Sequence, residues 1–486
     1  MIASKTVKEN CLALEKAAKQ ILQMQDSHLI QIDQNKTELI HFYARSEEAN
    51  QSLLINNNRI EPKSEIKWLG VWLDSKLNFK AHVRNKLATA ENTLNNIIRL
   101  SNIERGLSFQ AMRQLYIACI TSIADYGVQI WWRNQRDMLA KYQSLQNEAL
   151  RRVLGAFKKS PIRAMEIEAA IPPPEVRFNK LCQNYALRIL KMNEAHPISQ
   201  RVSTSFPPFS TGIELDWTKY ADWSEESSKI IPSQLFRLCS MIKSYLSTLN
   251  CEKIEHYSLT PWRPTINTLI DVQISSESKE LESQNHQNKL KSINNYLIIY
   301  TDGSLTKDSE TLEAGIASSS NQKEYHLRYW NVGAQKEVCD AEIYAIYQAF
   351  NIAYAQRTRY SNLWIFSDSQ AAIQRLYNHS IHNNQELVNK IHNLIIKLKQ
   401  KKNLNIHICW VPSHMNIRGN ELADKAAKMG TKYKRTVSKE ISWAHLKRRI
   451  KESCLEQWHQ IWLNQKENKR GQYYHLDTKP KWQASK

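Results

Sequence analysis

The sequence has no pair of cysteines at the spacing that metal sites use. Its eight cysteines are scattered along the chain, and none of them forms a CxxC motif. Zinc knuckles and disulfide frameworks both need cysteines in closely spaced or matched sets. Neither kind of site is therefore expected, and this pattern is typical of a reducing compartment.

Signal peptides and membrane spans are missing as well. Residues 1–22 have the pattern of an amphipathic helix and lack the apolar stretch of a signal peptide. No apolar run approaches the roughly 20 residues that a transmembrane helix needs. We therefore expect a soluble intracellular protein with no membrane partner, in the nucleus or the cytoplasm.

What the sequence does have is positive charge. It contains 67 Lys and Arg against 47 Asp and Glu, which gives a formal net charge of +20. This balance favours a polyanionic partner, although ribosomal, chromatin and membrane-surface proteins share it. The 14 Trp and 20 Tyr offer rings that can stack on bases. Most such rings belong to a core, so the charge and the rings alone do not decide the function.

The organisation of the chain changes near its middle. Its 486 residues allow roughly three domains. Helical periodicity dominates from Lys80 to about Phe157 and returns after the prolines of Ile171–Val176. Between residues 196 and 294 the pattern weakens to an irregular linker with helical pieces.

From Tyr296 the pattern sharpens. Three short alternating strands are followed by helix, strand, helix, strand and helix. This order predicts an α/β fold with a mixed five-stranded sheet and flanking helices.

Four acidic residues of this part are the best candidates for chemistry, namely Asp302, Glu342, Asp368 and Asp424. Each stands at the end of an apolar strand or near an apolar-faced helix, so we expect them to share one site. A lone Asp at a strand end is usually a turn or cap residue, but four acids in this order favour function. Carboxylates this close cannot all stay ionised, and divalent cations relieve their repulsion. Two such cations about 4 Å apart can drive an in-line attack on a phosphodiester.

The constellation resembles the type 1 ribonuclease H domain. The matching pieces are TDGS at 301–304, Glu342 on the long helix, SDS at 367–369 and VPSHMNIRGNELAD at 411–424. Order, spacing and structural context agree over residues 295–432, which makes the resemblance specific.

The resemblance implies a site for two Mg²⁺ ions, for which Mn²⁺ is expected to substitute. Asp302, Glu342 and Asp368 would hold the ion that activates a water, and Asp302 and Asp424 the ion that stabilises the leaving 3′ oxygen of the RNA strand. The family's mobile histidine, which assists turnover, falls on His414.

Selection of an RNA–DNA hybrid would come from contacts to 2′-hydroxyl groups. The resemblance implies four substrate-binding residues: Gly303, Ser304, Ser369 and Asn420.

One position departs from the family pattern. Asn416 stands where the loop after the histidine often has its first glycine. Asn tolerates a left-handed backbone better than most residues, so we expect the loop to form, although turnover could be altered. Two basic segments, Lys397–Lys402 and the tail 433–486, are open to two interpretations: solvated or packed helices, or nucleic-acid contacts.

The upstream part resembles the rear of a reverse transcriptase from a LINE-type (non-LTR) retrotransposon. The matching pieces are KTELIHF at 36–42, KWLGVWLDSKLNFKAHV at 67–83 and YIACITSIADYGVQIWW at 116–132. They correspond to the end of the palm, its primer-gripping hairpin and the thumb. The resemblance puts Lys36 near the incoming nucleotide.

The same resemblance puts Trp68, Leu69 and Gly70 on the primer-grip strand. A polymerase, however, needs two adjacent aspartates for its metal, and the sequence contains no Asp-Asp pair. We therefore expect a truncated retroelement protein without polymerase activity. Its predicted parts are a partial palm at 1–80, a mainly helical thumb at 81–195, a linker at 196–294, the ribonuclease H domain at 295–432 and a basic tail at 433–486.

Three classes of function remain open from the sequence. The first is an Mg²⁺-dependent endonuclease that cuts the RNA strand of RNA–DNA hybrids. The second is a catalytically silent remnant that binds nucleic acid, and the third is a DNA-cutting transposase or integrase, which uses a different acidic triad. The intact set of four acids favours the first class, and the oligomeric state stays open.

Overall fold

The computed structural model describes most of the chain, in segments. These are residues 6–28, 33, 36–42, 50–56, 58–99, 106–192, 195–203, 238–239, 251–252, 254, 262, 264, 266–306, 311–321, 324–356, 360–377, 383–432, 436–437, 440–467 and 480–481. Residues 29–32 of the predicted strand HLIQID and most of the predicted helix SQLFRLCSMIKSYLSTLN lie outside them.

The chain divides into two compact units. Unit 1 comprises Met1–Cys182, Thr218–Leu235 and Cys454–Lys486, and unit 2 comprises Gln183–Trp217 and Phe236–Ser453.

Helices dominate the N-terminal part, as the sequence predicts. They are α1 (Val7–His28), α2 (Lys80–Ile98), α3 (Phe109–Leu115), α4 (Ser122–Ala124), α5 (Val128–Trp131), α6 (Arg136–Leu154), α7 (Ile162–Glu168), α8 (Pro174–Leu190) and α9 (Pro197–Ser203). A π-helical turn, Tyr116–Thr121, joins α3 to α4. The strands of this part form two hairpins, β1 (Leu53–Ile55) with β2 (Asn58–Ile60) and β3 (Glu65–Trp68) with β4 (Val71–Asp74).

An aromatic cluster holds the helices of unit 1 together. Trp131 stacks on Tyr142 at 5.4 Å between ring centroids, and Phe178 meets Tyr142 edge-on at 4.9 Å. Trp132 packs edge-on against Phe178 at 5.2 Å. Offset and edge-to-face contacts of this kind add about 0.5–1.5 kcal/mol each beyond the area they bury.

The predicted primer-grip residues lie at the tip of the β3–β4 hairpin. Leu69 and Gly70 form its turn with φ of 48° and 80°, and such left-handed pairs match the twist of a two-residue hairpin. Trp68 is 61% and Leu69 77% exposed. Lys36 is exposed as well and pairs with Asp33 at 3.4 Å. Their contacts with a nucleic acid stay a prediction.

The C-terminal part alternates strands and helices. Its elements are α10 (Ile266–Leu269), β5 (Asp271–Gln273), α11 (Lys279–Ser292), β6 (Tyr296–Thr306), β7 (Thr311–Ser320), β8 (His326–Gly333), α12 (Val338–Ala355), β9 (Asn362–Ser367), α13 (Gln370–Tyr377), α14 (Gln385–Lys402), β10 (Asn405–Trp410), α15 (Arg418–Met429) and α16 (Trp443–Glu467).

These strands form one mixed sheet, which confirms the predicted fold class. The strand order is β5-β10-β9-β6-β7-β8, with β6, β7 and β8 antiparallel and the other neighbours parallel. The predicted number of five strands was one too few, because β5 adds a sixth at the β10 edge. Strand β5 and helix α11 lie within residues 196–294, for which the sequence predicts an irregular linker with helical pieces. Three residues are too short for an alternating pattern to reveal a strand.

Helices cover both faces of the sheet. On one face, Leu297 and Ile299 of β6 pack with Ile343 of α12. On the other face, Ile298 of β6 packs with Ala423 of α15 and with Leu290 of α11. Helix α11 precedes the predicted domain, yet its side chains belong to this core.

Helix α16 shows how part of the basic tail packs, while contacts of its exposed charges with a nucleic acid stay a prediction. In its first two turns Trp443, Leu446 and Ile450 are buried, whereas Lys447 and Arg449 are exposed. The helix is therefore packed along its apolar side and presents its charge to solvent. No helix within the described segments combines the length and the apolar character needed to cross a lipid bilayer.

Candidate active site

The register between β6 and β9 places two of the predicted acids next to each other. Thr301 of β6 and Ser367 of β9 are partners in a parallel pair. Asp302 is the next residue of β6, and Asp368 directly follows β9, so the two acids lie at neighbouring positions. The expectation that the first strand ends at Asp302 was wrong, because β6 continues to Thr306 through its pairing with β7. Carboxyl ends of parallel strands meet at one edge in this way, which is why the strand ends were informative.

Glu342 reaches the same place from helix α12. Its backbone comes so close to Gly303 that a Cβ atom at Gly303 would lie 2.6 Å from Glu342 N and 3.0 Å from Glu342 Cγ. No side chain fits there without displacing the helix. Gly303, predicted as a substrate contact, therefore has a packing role that sets the distance between β6 and α12.

The three carboxylates converge. Ligand oxygens of Asp302, Glu342 and Asp368 all lie within 4.8 Å of one another. Asp302 is 7% and Glu342 6% exposed, and Asp368 is half-buried. None of the three forms an ion pair with any described residue.

Burial and mutual repulsion raise the pKa of all three groups. Burial, followed by the charges of Asp368 and Asp424, raises the pKa of Asp302 to about 7. Burial together with Asp302 and Asp368 raises the pKa of Glu342 well above its usual range. The pKa of Asp368 is raised mainly by burial, and the Asn420 amide opposes this shift. The site therefore disfavours its own negative charge, a cost that a bound cation would relieve.

Asp424, the fourth predicted acid, is held differently. It lies on α15 with its side chain 37% exposed, and it pairs with Lys428 one turn later at 2.6 Å. Its charge still contributes to the raised pKa of Asp302. The structure thus places Asp424 beside the three acids but outside their tight cluster.

The donor set fits a hard divalent cation. Oε2 of Glu342 is buried and has no hydrogen-bond partner among the described residues, and the same holds for Oδ1 of Asn420. Buried oxygens without partners are rare in folded proteins because each costs about 1–3 kcal/mol. Carboxylate and amide oxygens are the ligands that Mg²⁺ and Mn²⁺ prefer.

The loop that carries His414 has an unusual backbone. His414 has φ of 59° and Asn416 has φ of 55°, both left-handed. Asn416 thus adopts the conformation for which related loops use glycine, which its sequence position led us to expect. The His414 side chain is exposed, and its charge lowers the pKa of Asp368.

Three further predicted residues line the same edge. Asn420 donates from Nδ2 to Oδ2 of Asp368 at 3.2 Å and so orients that carboxylate. Ser369 accepts the backbone N–H of Ala372 at 3.3 Å, which makes it a cap of helix α13. Ser304 is half-buried on β6. Their contacts with substrate stay predictions.

Two neighbours of the site escaped the sequence analysis. Trp410 donates from Nε1 to the carbonyl oxygen of Asp368 at 3.1 Å. Lys428 neutralises Asp424, and its position four residues later on the same helix was the available signal.

Comparisons with known proteins show which proteins the chain is similar to. Residues 294–432 match the family model for RNase H. The probable RNA-directed DNA polymerase from transposon BS of Drosophila melanogaster is 29% identical over 94 residues, which are 19% of this chain and 10% of that protein. The RNA-directed DNA polymerase from mobile element jockey of the same organism is 26% identical over 145 residues, or 30% of this chain and 15% of that protein.

The chain thus spans a small part of the length of these relatives. Among solved structures, RNase H1 from the halophilic archaeon Halobacterium salinarum NRC-1 is similar with 17% identity and a TM-score of 0.23, over 28% of this chain and 98% of that one. The family match and the relatives confirm the resemblance that the sequence motifs indicated.

Proposed function

We propose that residues 294–432, which match the RNase H family model, hydrolyse the RNA strand of RNA–DNA hybrids. One observation supports the proposal more than any other. Three carboxylates, two buried and one half-buried, lie within 4.8 Å of one another without a cationic partner among the described residues. Such a cluster is costly to fold, and divalent cations for phosphodiester cleavage are its best chemical use.

Each acid has a role in the proposal. Asp302, Glu342 and Asp368 would hold one Mg²⁺ or Mn²⁺, and Asp302 and Asp424 would hold a second. Such ions would supply activation of a water and stabilisation of the leaving 3′ oxygen. Asn420 orients Asp368 through its amide. Asp424 would serve as a ligand once the Lys428 ammonium, 2.6 Å away, moved aside.

The remaining predicted residues act on the substrate. His414 is exposed on its loop beside Asp368, where it can transfer a proton at the scissile phosphate and so assist product release. Ser304, Ser369 and the Gly303 backbone lie along the edge where an RNA strand would run, and contacts there to 2′-hydroxyls would select the hybrid.

We propose no polymerase activity for these 486 residues. Nucleotide transfer needs a metal site of its own, which a polymerase builds from two adjacent aspartates. The sequence contains no such pair. The hairpin and the helical region resemble the parts of a reverse transcriptase that hold duplex. We therefore assign them nucleic-acid binding at most.

The test uses the full chain, because two elements outside residues 294–432 belong to the same fold. Strand β5 pairs with β10, and helix α11 packs against the core of the sheet. A labelled RNA–DNA hybrid is incubated with Mg²⁺ and with Mn²⁺, beside single-stranded and double-stranded RNA. The variant is Asp368→Asn. The matched control is Asp137→Asn, the same chemical change at an exposed position of α6.

We expect cleavage of the hybrid's RNA strand by wild type and by Asp137→Asn, with loss in Asp368→Asn. Tight binding of the hybrid by wild type without cleavage would instead support the catalytically silent binding protein. That outcome is favoured by one observation, the capture of Asp424 by Lys428.

A further inference from the structure

A half-buried acid of unit 2, Glu252, lies outside the residues that match the RNase H family. Its Oε2 accepts the backbone N–H of Asn384 at 2.7 Å, and its Oε1 accepts the backbone N–H of Trp443 at 2.8 Å. The Trp443 indole also donates to the Glu252 carbonyl oxygen at 3.0 Å. The neighbouring residue Cys251 forms a bridge with Ile441. Both chain segments that flank the domain therefore meet at this carboxylate.

The two backbone donors belong to the starts of two helices. Asn384 is the N-cap of α14, and Trp443 is the first residue of α16. The first N–H groups of a helix have no partner within the helix and carry a partial positive charge. Both oxygens of Glu252 are satisfied by such backbone groups, whereas Oε2 of Glu342 has no hydrogen-bond partner among the described residues.

A short chain of hydrogen bonds connects Glu252 to the helix that carries Glu342. Asn384 Nδ2 donates to Oδ1 of Asp340 at 2.5 Å. Oδ2 of Asp340 accepts the backbone N–H of Glu337 at 2.7 Å, which closes a capping box at the start of α12. Glu342 lies two residues beyond Asp340. The position of the first turn of α12 thus depends on Asn384, and that of Asn384 on Glu252.

The side chain of Glu337 is fixed from the same direction. It accepts from Arg448 Nε of α16 at 2.7 Å. Hydrogen bonds therefore connect the start of α12 to residues on both flanks of 294–432. On the side of the sheet, the backbone of Gly303 packs closely against the same turn. A metal ligand needs its position fixed to within about 0.5 Å. These ties act on the part of α12 that sets the position of Glu342.

We propose that Glu252 is a positioning residue of the metal site, acting on Glu342 through Asn384 and Asp340. We refer to these residues, with Trp443, as the Glu252 network. This inference rests on the proposed function, since it gives that site a support outside the family domain. It predicts that the functional unit extends to both flanks of residues 294–432.

Two substitutions in the full chain test the inference at different points. Glu252→Gln keeps the size of the side chain but turns an N–H₂ group toward one backbone N–H. Asn384→Gly removes only the amide that reaches Asp340, because glycine readily keeps the left-handed backbone at this position, φ of 62°. The control is Glu277→Gln, an exposed glutamate of the same unit.

Three readouts separate positioning from mere stability. The first is the affinity of the substrate-free protein for Mn²⁺, measured by electron paramagnetic resonance of the free ion. The second is hydrogen exchange of a peptide that covers the first turn of α12. The third is the Mg²⁺ concentration at half-maximal cleavage, together with kcat and KM.

We expect both variants to bind Mn²⁺ roughly 10-fold more weakly, at the low end of the effect for outer-shell partners. Amides of the first α12 turn should exchange faster, and kcat should fall at fixed Mg²⁺ with KM unchanged. Asn384→Gly should lose less thermal stability than Glu252→Gln, because the hydrogen bonds from the backbone to Glu252 remain.

Different experimental results would reject the positioning role of Glu252 and the proposed ribonuclease activity. Wild-type affinity for Mn²⁺ in both variants, with only a lower melting temperature, would overturn the positioning role and leave the proposed function intact. A wild type that binds Mn²⁺ without cleaving, with weaker binding in both variants, would keep the positioning role and reject the activity. A wild type that neither binds nor cleaves would reject both.

Discussion

Buried carboxylates occur in both units, but their surroundings differ. In unit 1 Asp125 binds Arg177 through two nitrogens, and Glu166 accepts from Arg163 at 2.8 Å. In unit 2 the acids Asp302, Glu342 and Asp368 have no such partner among the described residues. The pKa of every one of these groups is raised mainly by burial, but in unit 1 the arginines oppose the shift and in unit 2 neighbouring acids add to it.

The difference distinguishes acids that serve packing from acids that are suited to bind a cation. A buried acid with a guanidinium partner contributes to the specificity of packing, and its removal is a question of stability. Buried acids that face one another destabilise the fold unless a cation joins them. Each prediction below changes one side of this comparison.

The largest effect is expected for Asp302→Asn. This residue is shared by both proposed metal ions, so the loss should reach roughly 10³-fold in cleavage rate, equivalent to several kcal/mol of lost transition-state stabilisation. The melting temperature of the metal-free variant at pH 8 should rise, because one repelling charge is gone. Loss of activity together with loss of stability would argue that Asp302 has a structural partner instead.

Removal of a partner in unit 1 should lower stability and leave the cleavage activity of the folded protein unchanged. Arg177→Leu leaves Asp125 buried without its guanidinium, and the expected cost is about 3–5 kcal/mol of unfolding free energy. Urea unfolding followed by tryptophan fluorescence measures this change. Adding Asp125→Leu should recover most of the loss, and cleavage by the folded double variant should match wild type.

His414→Ala tests the exposed member of the site. We expect a loss of about 10²-fold in kcat, the lower range for a residue that transfers a proton. Mn²⁺ affinity should stay unchanged, because His414 is not among the clustered ligands. A variant with weaker metal binding and normal kcat at saturating Mn²⁺ would reassign His414 to the metal.

The pH dependence of the metal-free protein follows from Asp302. Its pKa is raised to about 7 in the folded state, so folding favours the protonated form. The stabilisation from this proton is fully present below the unfolded pKa of about 3.9 and is lost as pH rises toward 7. The melting temperature of unit 2 should fall across that window. Mg²⁺ at ten times its Kd should restore about 1.4 kcal/mol at pH 8, and a flat profile would contradict a raised pKa.

Asn416→Gly should have the smallest effect. The backbone at this position is already left-handed, so glycine relieves little strain and adds freedom to the unfolded chain. We expect a change within about 0.5 kcal/mol in stability and a cleavage rate within about 2-fold of wild type. A clearly faster variant would show that asparagine slows turnover at this loop.

Local patterns predicted much of this site. Asp302 and Asp368 were recognised because each follows an apolar run that predicts a strand, and parallel strands align such positions. The helix of Glu342 was recognised from its length and period. The strand β5 was missed because its three residues carry no period, and Lys428 was missed because a side-chain pairing is chosen by packing and rotamer.

Glu252 shows the clearest limit. It stands 132 residues before Asn384 and 191 before Trp443, and nothing in its neighbourhood in sequence marks it as a ligand of two helix starts. Such contacts are fixed by chain topology, which local propensities do not encode.

By itself the sequence determined which residues carry negative charge at strand ends, that the chain lacks paired aspartates, and that basic residues predominate. Only the tertiary structure decided which acids share a pocket and which are neutralised. Periodicity and turn chemistry depend on neighbours within a few residues, whereas burial, ion pairing and the pKa of a carboxylate depend on atoms that folding brings from distant parts of the chain.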